Sequence, residues 1–197
     1  MSERLPRTFY QRDAREVARD LLGRILVTSI GGERTSGIIT EVEAYLGAHD
    51  AASHTYRGLT QRNRAMYLAG GHAYIYFIYG MYYCFNVVTG IEGDGEAVLV
   101  RGVEPLEGVE MMRERRGLRA MPAKELANGP GKLAIALGIG PELNGTDLLA
   151  DPRIWIEPGE RLSDANVVTT PRIGITKSTE HHWRWVRREE DTTKRKR

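Results

Sequence analysis

From residue 13 to residue 22 the apolar positions Val17, Leu21 and Leu22 recur at helical spacing among charged neighbours. Asp13 stands where a cap belongs and Gly23 where a helix stops, so the pattern predicts a short amphipathic helix. Two β-rich runs, 24–30 and 35–43, then flank Gly31-Gly32-Glu33-Arg34 and predict a hairpin. Residues 47–58 keep neither period, and a polar connection of that length inside a compact domain is more often functional than idle. Thr60 offers a cap for a short helix through Leu68, closed by Gly70 and Gly71. From 73 to 89 aromatic and β-branched residues crowd around Gly80, which predicts a second hairpin turning at Tyr79-Gly80-Met81. A strand over 97–103, helices over 109–116 and 132–137, and late strands over 153–157 and 172–176 complete the reading. Helices and hairpins mix without a repeated βαβ order. The class is therefore α+β: a single domain over 1–197 with a mainly antiparallel curved sheet, flanking helices and a protruding β-hairpin, its ends at about 1–7 and 188–197 expected to be flexible.

Composition narrows the function classes. Hydrophobic residues make up 41% of the chain and charged residues 27%, the balance of a globular protein rather than a disordered or membrane one. No apolar stretch is long enough for a membrane span, and the polar first residues form no signal-like segment. Cys84 is the one cysteine, so no internal disulfide is expected, and no Cys/His pair has metal-ligand spacing. These features predict a cytoplasmic protein, nucleoid-associated if prokaryotic, with no metal and no membrane partner. A net charge of +2 is too small to declare a nucleic-acid partner by itself. Arginines do cluster at Arg57, Arg62 and Arg64 and at Arg113, Arg115, Arg116 and Arg119, and the chain ends in Lys194, Arg195, Lys196 and Arg197. Each cluster reads either as a solvated face or as a phosphate-binding surface.

Three features carry candidate chemistry. Six of the nine tyrosines fall between residues 67 and 83, where a plain core would favour phenylalanine. Tyrosine at the rim of an amphipathic sheet explains this, and so does a set of rings that stack on nucleobases. Tyr79, beside Gly80 at the predicted hairpin tip, has little core to enter and fits a wedge between base steps. Second, strand alternation puts Glu41, Glu43 and Tyr45 on one face, although Ile39 and Val42 do not share a side cleanly. Two such carboxylates make either a solvated edge or an acid/base site. Third, Thr60-Gln61-Arg62-Asn63-Arg64 at a predicted helix start suits phosphate contact. Gly129-Pro130-Gly131-Lys132 lacks P-loop spacing and reads as a turn that starts a helix.

In order and spacing, Glu43-Ala44-Tyr45-Leu46-Gly47, Asp50, His54, Thr60 to Arg64, Tyr76 to Tyr82 and Asn86 closely resemble the alkyladenine (3-methyladenine) DNA glycosylase family. The resemblance continues through Gly93-Asp94-Gly95, Val98 to Arg101, Glu104 to Gly108, Gly129 to Leu133 and Arg172 to Ile175, and covers about residues 8 to 187. It implies a monofunctional glycosylase of base excision repair. Such an enzyme flips alkylated or deaminated purines (3-methyladenine, 7-methylguanine, hypoxanthine, ethenoadenine) out of double-stranded DNA and hydrolyses the N-glycosidic bond. Glu43 would activate the water, with Arg101 beside it. Tyr45, His54 and Tyr76 would wall the base pocket, and Asn86 would lie against the purine edge. Tyr79 would fill the gap in the duplex, while Arg62, Arg64, Met81 and Tyr82 would contact the DNA backbone. No cofactor is implied, and flipping needs only a monomer. The absence of lysine between Met1 and Arg113, where the pocket motifs lie, argues against a Schiff-base lyase step. His182 and Trp185 depart from the family's Pro-Trp-Arg-Phe pattern, which puts the last strand in doubt rather than the pocket. The alternative function is a damaged-base-binding protein without catalysis, for which Glu43 is not required.

Overall fold

The computed structural model describes residues 3–188. Its frame is an eight-stranded antiparallel sheet: β1 (Ile25–Ile30), β2 (Glu33–Leu46), β3 (Ala73–Ile78), β4 (Tyr82–Thr89), β5 (Glu96–Glu107), β6 (Ile154–Glu157), β7 (Val167–Thr170) and β8 (Arg184–Arg187). The main path runs β3-β4-β5-β2-β1-β6. β2 is long enough to change partners along one edge. Its first half pairs with β1 as far as Ile38, and Glu41, Val42 and Glu43 then pair with β8, which carries β7 outside it.

Side-chain alternation gives this sheet two unlike faces. Val42, Ala44, Ala73, Ile75, Phe85, Val87, Val98 and Val100 point into the main core. There they meet α1 (Arg7–Tyr10), α2 (Ala14–Leu21), α3 (Val109–Arg116), α4 (Ala123–Leu126) and α5 (Pro130–Leu137). Asp13 caps α2 by accepting the Arg15 N–H at 2.8 Å, and Ala14, Val17, Ala18 and Leu21 form its buried stripe. The other face holds a smaller cluster of Ala65, Met66, Tyr74, Val88 and Ala97.

The α+β fold, the tyrosine hairpin and most predicted elements are present, and four expectations change. Residues 60–68 form only a 3-10 turn, Arg64–Tyr67. The reason is Asn63, whose side chain accepts the Thr60 N–H and donates to the His54 and Gly58 carbonyls, stitching a loop where a helix was expected. Residues 172–176 are not a strand: Arg172 is drawn inward by Asp50, and Gly174 sits at φ 77°. The strand expected over 153–157 is β6, and β7 and β8 stand on either side of the 172–176 segment. Residues 4–7 are not loose. The Leu5 N–H bonds to the Ile156 carbonyl, and Arg4 and Arg7 hold the Leu148 and Gly70 carbonyls. The 113–119 arginines are largely spent inside the protein, since Arg113, Arg115 and Arg116 donate to the carbonyls of Met121, Ala136 and Leu126. The basic residues 194–197 lie outside the described residues. Among the described residues, no helix is long and apolar enough to cross a membrane.

Candidate active site

The second face of the sheet carries the site, and the strand registers line it up. Tyr74 pairs with Asn86, Asn86 with Leu99, Leu99 with Glu43 and Glu43 with Arg184, so one row crosses β3, β4, β5, β2 and β8. Two offsetting bulges adjust that row. Between Ile39↔Val103 and Glu41↔Gly102, Thr40 is the extra residue on β2; between Glu41↔Gly102 and Val42↔Val100, Arg101 is the extra residue on β5. The first bulge puts Ile39 and Val42 in the same core despite their odd separation. The second turns Arg101 onto the two carboxylates, as bulges beside sites commonly re-aim a side chain. Its Nε lies 2.7 Å from Glu41 Oε1 and its Nη1 3.4 Å from Glu43 Oε1.

Above this row opens a cavity of about 330 Å³, within the range of small-molecule sites. Tyr45, His54, Tyr76, Asn86, Leu99 and Arg101 are among its walls, with Ile173 and Gly174 along one side and Pro130 and Gly131 at the start of α5. Gly131 is required there, because a Cβ would fall 2.9 Å from Tyr82 Cγ. His54 Nδ1 lies 2.9 Å from the Tyr74 hydroxyl, and its ring meets Tyr76 edge-on at 4.6 Å. Partial burial of its ring, with Arg62 nearby, holds His54 below its ordinary pKa and favours the neutral imidazole. Burial also pushes the Tyr74 phenol up to about 12 and raises Tyr45 and Tyr76, which keep their protons. Asn86 Nδ2 donates to the Tyr74 and Cys84 carbonyls.

Glu43 stands behind the wall rather than in it, with none of its surface exposed. Its Oε2 accepts the Tyr45 hydroxyl at 2.9 Å and its Oε1 accepts the Ile173 N–H at 2.8 Å. Burial raises its pKa above the ordinary carboxylate value; Arg101, the Ile173 N–H and the Tyr45 hydroxyl oppose that rise without cancelling it. The result is a carboxylate of increased basicity whose three partners all belong to the cavity wall. At the cavity mouth the β3–β4 hairpin turns through Tyr79, Gly80 and Met81, with Tyr79 at φ 55°, Gly80 at φ 69° and the Met81 N–H on the Ile78 carbonyl. Tyr79 is 77% exposed, and Met81 and Tyr82 are exposed beside it. Among the described residues, no three His, Cys, Asp or Glu side chains group in a way that could hold a metal ion.

A family model described as Methylpurine-DNA glycosylase (MPG) matches residues 8–191. The chain belongs to the methylpurine-DNA glycosylase family. It is a hydrolase that cleaves N-glycosyl bonds, and its substrate is DNA. Relatives named "Putative 3-methyladenine DNA glycosylase" include one from Chlorobaculum parvum, 50% identical over 183 residues (92% of this chain, 86% of the relative). Another, from Methanoculleus marisnigri, is 51% identical over 178 residues (89% and 91%). A third, from Clostridium acetobutylicum, is 46% identical over 192 residues (92% and 93%).

In this methylpurine-DNA glycosylase, the residues expected from the sequence fall into two groups. Tyr45, His54, Tyr76, Tyr79, Tyr82, Asn86 and Arg101 all line the cavity, with Glu43 directly behind them. Arg62, Arg64 and Met81 lie outside it and are exposed: Met81 at the hairpin tip, Arg64 at the start of the 3-10 turn Arg64–Tyr67, and Arg62 on the loop before it, where its Nη2 reaches the Phe77 carbonyl of the hairpin. Sequence reasoning left three participants without a role: Tyr74, which pairs with His54; Ile173, whose N–H meets Glu43; and the Asp50–Arg172 pair beneath Tyr45. The Tyr-x-Tyr alternation at 74 and 76 was a signal for the first. The others depend on contacts between segments more than 100 residues apart, as the separations of 130 and 122 residues show.

Proposed function

We propose that this glycosylase flips an alkylated or deaminated purine from duplex DNA into the 330 Å³ cavity and hydrolyses its glycosidic bond with a water activated by Glu43. The observation that carries the reading is Tyr45, which faces the cavity and donates its hydroxyl to Glu43. One side chain thus joins a base-stacking wall to a buried carboxylate. A purine between Tyr45, His54 and Tyr76 gains from electron-rich rings when alkylation makes it cationic, by about 0.5–2 kcal/mol per cation–π contact. A water entering between Arg101 and Ile173, both of which touch Glu43, is held by the carboxylate and faces the sugar carbon. The negative charge of Glu43 stabilises the oxocarbenium-like sugar as the C–N bond breaks and the purine leaves with the bonding pair, a cationic alkylated purine as the neutral base and hypoxanthine with a proton taken up from solvent; the water oxygen then bonds the sugar carbon as Glu43 takes its proton. The raised pKa suits this work, since a base near the working pH is most effective. Tyr79 enters the stack in place of the flipped base, Arg62, Arg64, Met81 and Tyr82 hold the backbone, and Asn86 tests the purine edge. All these groups come from one chain, so a monomer suffices.

The test is base release from duplexes carrying single 3-methyladenine, 7-methylguanine, hypoxanthine or ethenoadenine lesions, with Glu43→Gln alongside. The expected result is release by the unaltered protein and loss of release, with lesion binding kept, in Glu43→Gln. Release retained by Glu43→Gln would overturn the assignment of Glu43 as the base, and lesion binding without release by the unaltered protein would favour a damaged-base-binding protein.

A further inference from the structure

Beneath Tyr45, on the side away from the base, lies an ion pair with no exposed side-chain surface on either partner: Arg172 and Asp50. The Arg172 guanidinium bonds both oxygens of Asp50 and gives its Nη1 also to the Ala44 carbonyl of β2 at 2.9 Å. Its plane is held between two rings, with Cζ 4.6 Å from the Tyr45 centroid and 5.0 Å from that of Trp183. The outer face of Trp183 is stacked by His181 at 4.0 Å and 7°, and its carbonyl accepts the Ala44 N–H. Asp50 in turn accepts the N–H groups of Leu46 and Ala52, the latter in the cavity wall. The residue after Arg172 is Ile173, whose N–H meets Glu43 Oε1 at 2.8 Å.

We infer that Arg172 is a positioning residue of this site: clamped between Tyr45 and Trp183 and locked to Asp50 and Ala44, it fixes the base-stacking ring and delivers the Ile173 N–H to Glu43. The inference rests on the reading of Glu43 as the base. Without the clamp, nothing among these contacts holds the 173–175 segment at the carboxylate. Only a planar fork can bond Asp50 twice, reach Ala44 and stay stacked on two rings, so lysine is not an equivalent. The groups that face Glu43 are Glu41 and Tyr45 from β2, Cys84 from β4, Arg101 from β5 and the Ile173 N–H; Arg184, its register partner on β8, turns to Glu41. Of these, the Ile173 N–H is the one Arg172 controls. Losing it removes one influence that opposes the rise in the Glu43 pKa, so the acid limb of the rate profile moves to higher pH.

The experiment is single-turnover excision of hypoxanthine from duplex DNA across pH, with enzyme in excess, so that the rate constant does not depend on the folded fraction. Arg172→Lys keeps a charge for Asp50, and Asp50→Asn/Arg172→Gln removes both charges so that neither is stranded. Both are expected to bind lesion DNA, to lose on the order of 100-fold in rate constant, as small misplacements of reacting groups do, and to show an upshifted acid limb. An unchanged rate constant overturns the inference, and so does a slower rate with an unmoved limb, which is what a purely structural role gives. A measurement on the unaltered protein guards against variants that do not fold: the Ile173 amide ¹⁵N shift titrates with the acid limb if the bond is made, and independence of the two overturns the inference. Glu43→Gln in the same assay separates the two levels. If it retains base release, the reading of Glu43 fails; if it is inactive while the Arg172 variants match the unaltered enzyme, only the positioning inference fails.

Discussion

A carboxylate kept at an unfavourable pKa leaves a mark on stability as well as on rate. Burial raises Glu43 above its unfolded pKa in spite of Arg101, so the folded protein holds this proton more tightly than the unfolded chain does. The contribution of Glu43 to folding is therefore most favourable below the unfolded pKa and is lost as pH rises through the folded one. Glu43→Gln has no such loss, so its melting temperature is expected to match that of the unaltered protein at low pH, to exceed it as pH rises through the folded pKa of Glu43, and to keep a constant lead above that. A melting series across pH checks this, and a variant less stable at alkaline pH would show that the Arg101 pairing outweighs burial. The stranded cost is the kind that active sites carry for function. At this scale the sequence was legible where a residue's partner lies nearby, as with Glu43 and Tyr45 two positions apart. It was silent where the partner is remote: Arg172 and Ile173 read only as the first residues of a β-like run over 172–176.

Among the elements, the tyrosine hairpin holds Tyr79, the proposed wedge, at a backbone position that resists it. Tyr79 adopts φ 55°, a left-handed conformation that costs a side-chain-bearing residue about 1–2 kcal/mol, while its ring remains 77% exposed. Asparagine tolerates that region and forms the preferred Asn-Gly turn. Tyr79→Asn is thus expected to slow hydrogen exchange in the hairpin, by about 1 kcal/mol in opening free energy, while lowering base release from duplex DNA more than from single strands. Unchanged duplex activity would remove the wedge from the proposed function. The turn was readable because Gly80 interrupts two β-rich runs. β7 and β8 were not, for the opposite reason: they are four residues each, largely half-exposed, and gain strand geometry from pairing along β2. Trp185, which departs from the resembled pattern, sits opposite Val42 and packs on the main core, so the last strand forms with the residues it has.

Across the whole molecule, the sheet separates stability from recognition. The main core and the bodies of the helices occupy one face, and the cavity, the hairpin and the arginine-bearing loop occupy the other, with the start of α5 reaching round to the cavity wall. A net charge of +2 cannot give strong general attraction to DNA, so the electrostatic part of binding must come from where the cations stand. Arg57, Arg62 and Arg64 are exposed on the loop that carries the cavity residue His54. Arg113, Arg115 and Arg116 are committed to carbonyls around α3. Each phosphate contact adds about 0.9 to the slope of log affinity against log salt. Replacing Arg62 and Arg64 with alanine is therefore expected to lower that slope by about 2, with the single-turnover rate at saturating enzyme little changed. Replacing Arg113 is expected to reduce stability and leave the slope alone. Titrations of lesion DNA at several salt concentrations decide the matter. A slope that falls equally for both variants would place DNA on the helical face as well, and one that falls only for Arg113 would put the duplex on the wrong side of the sheet for a base to reach Glu43.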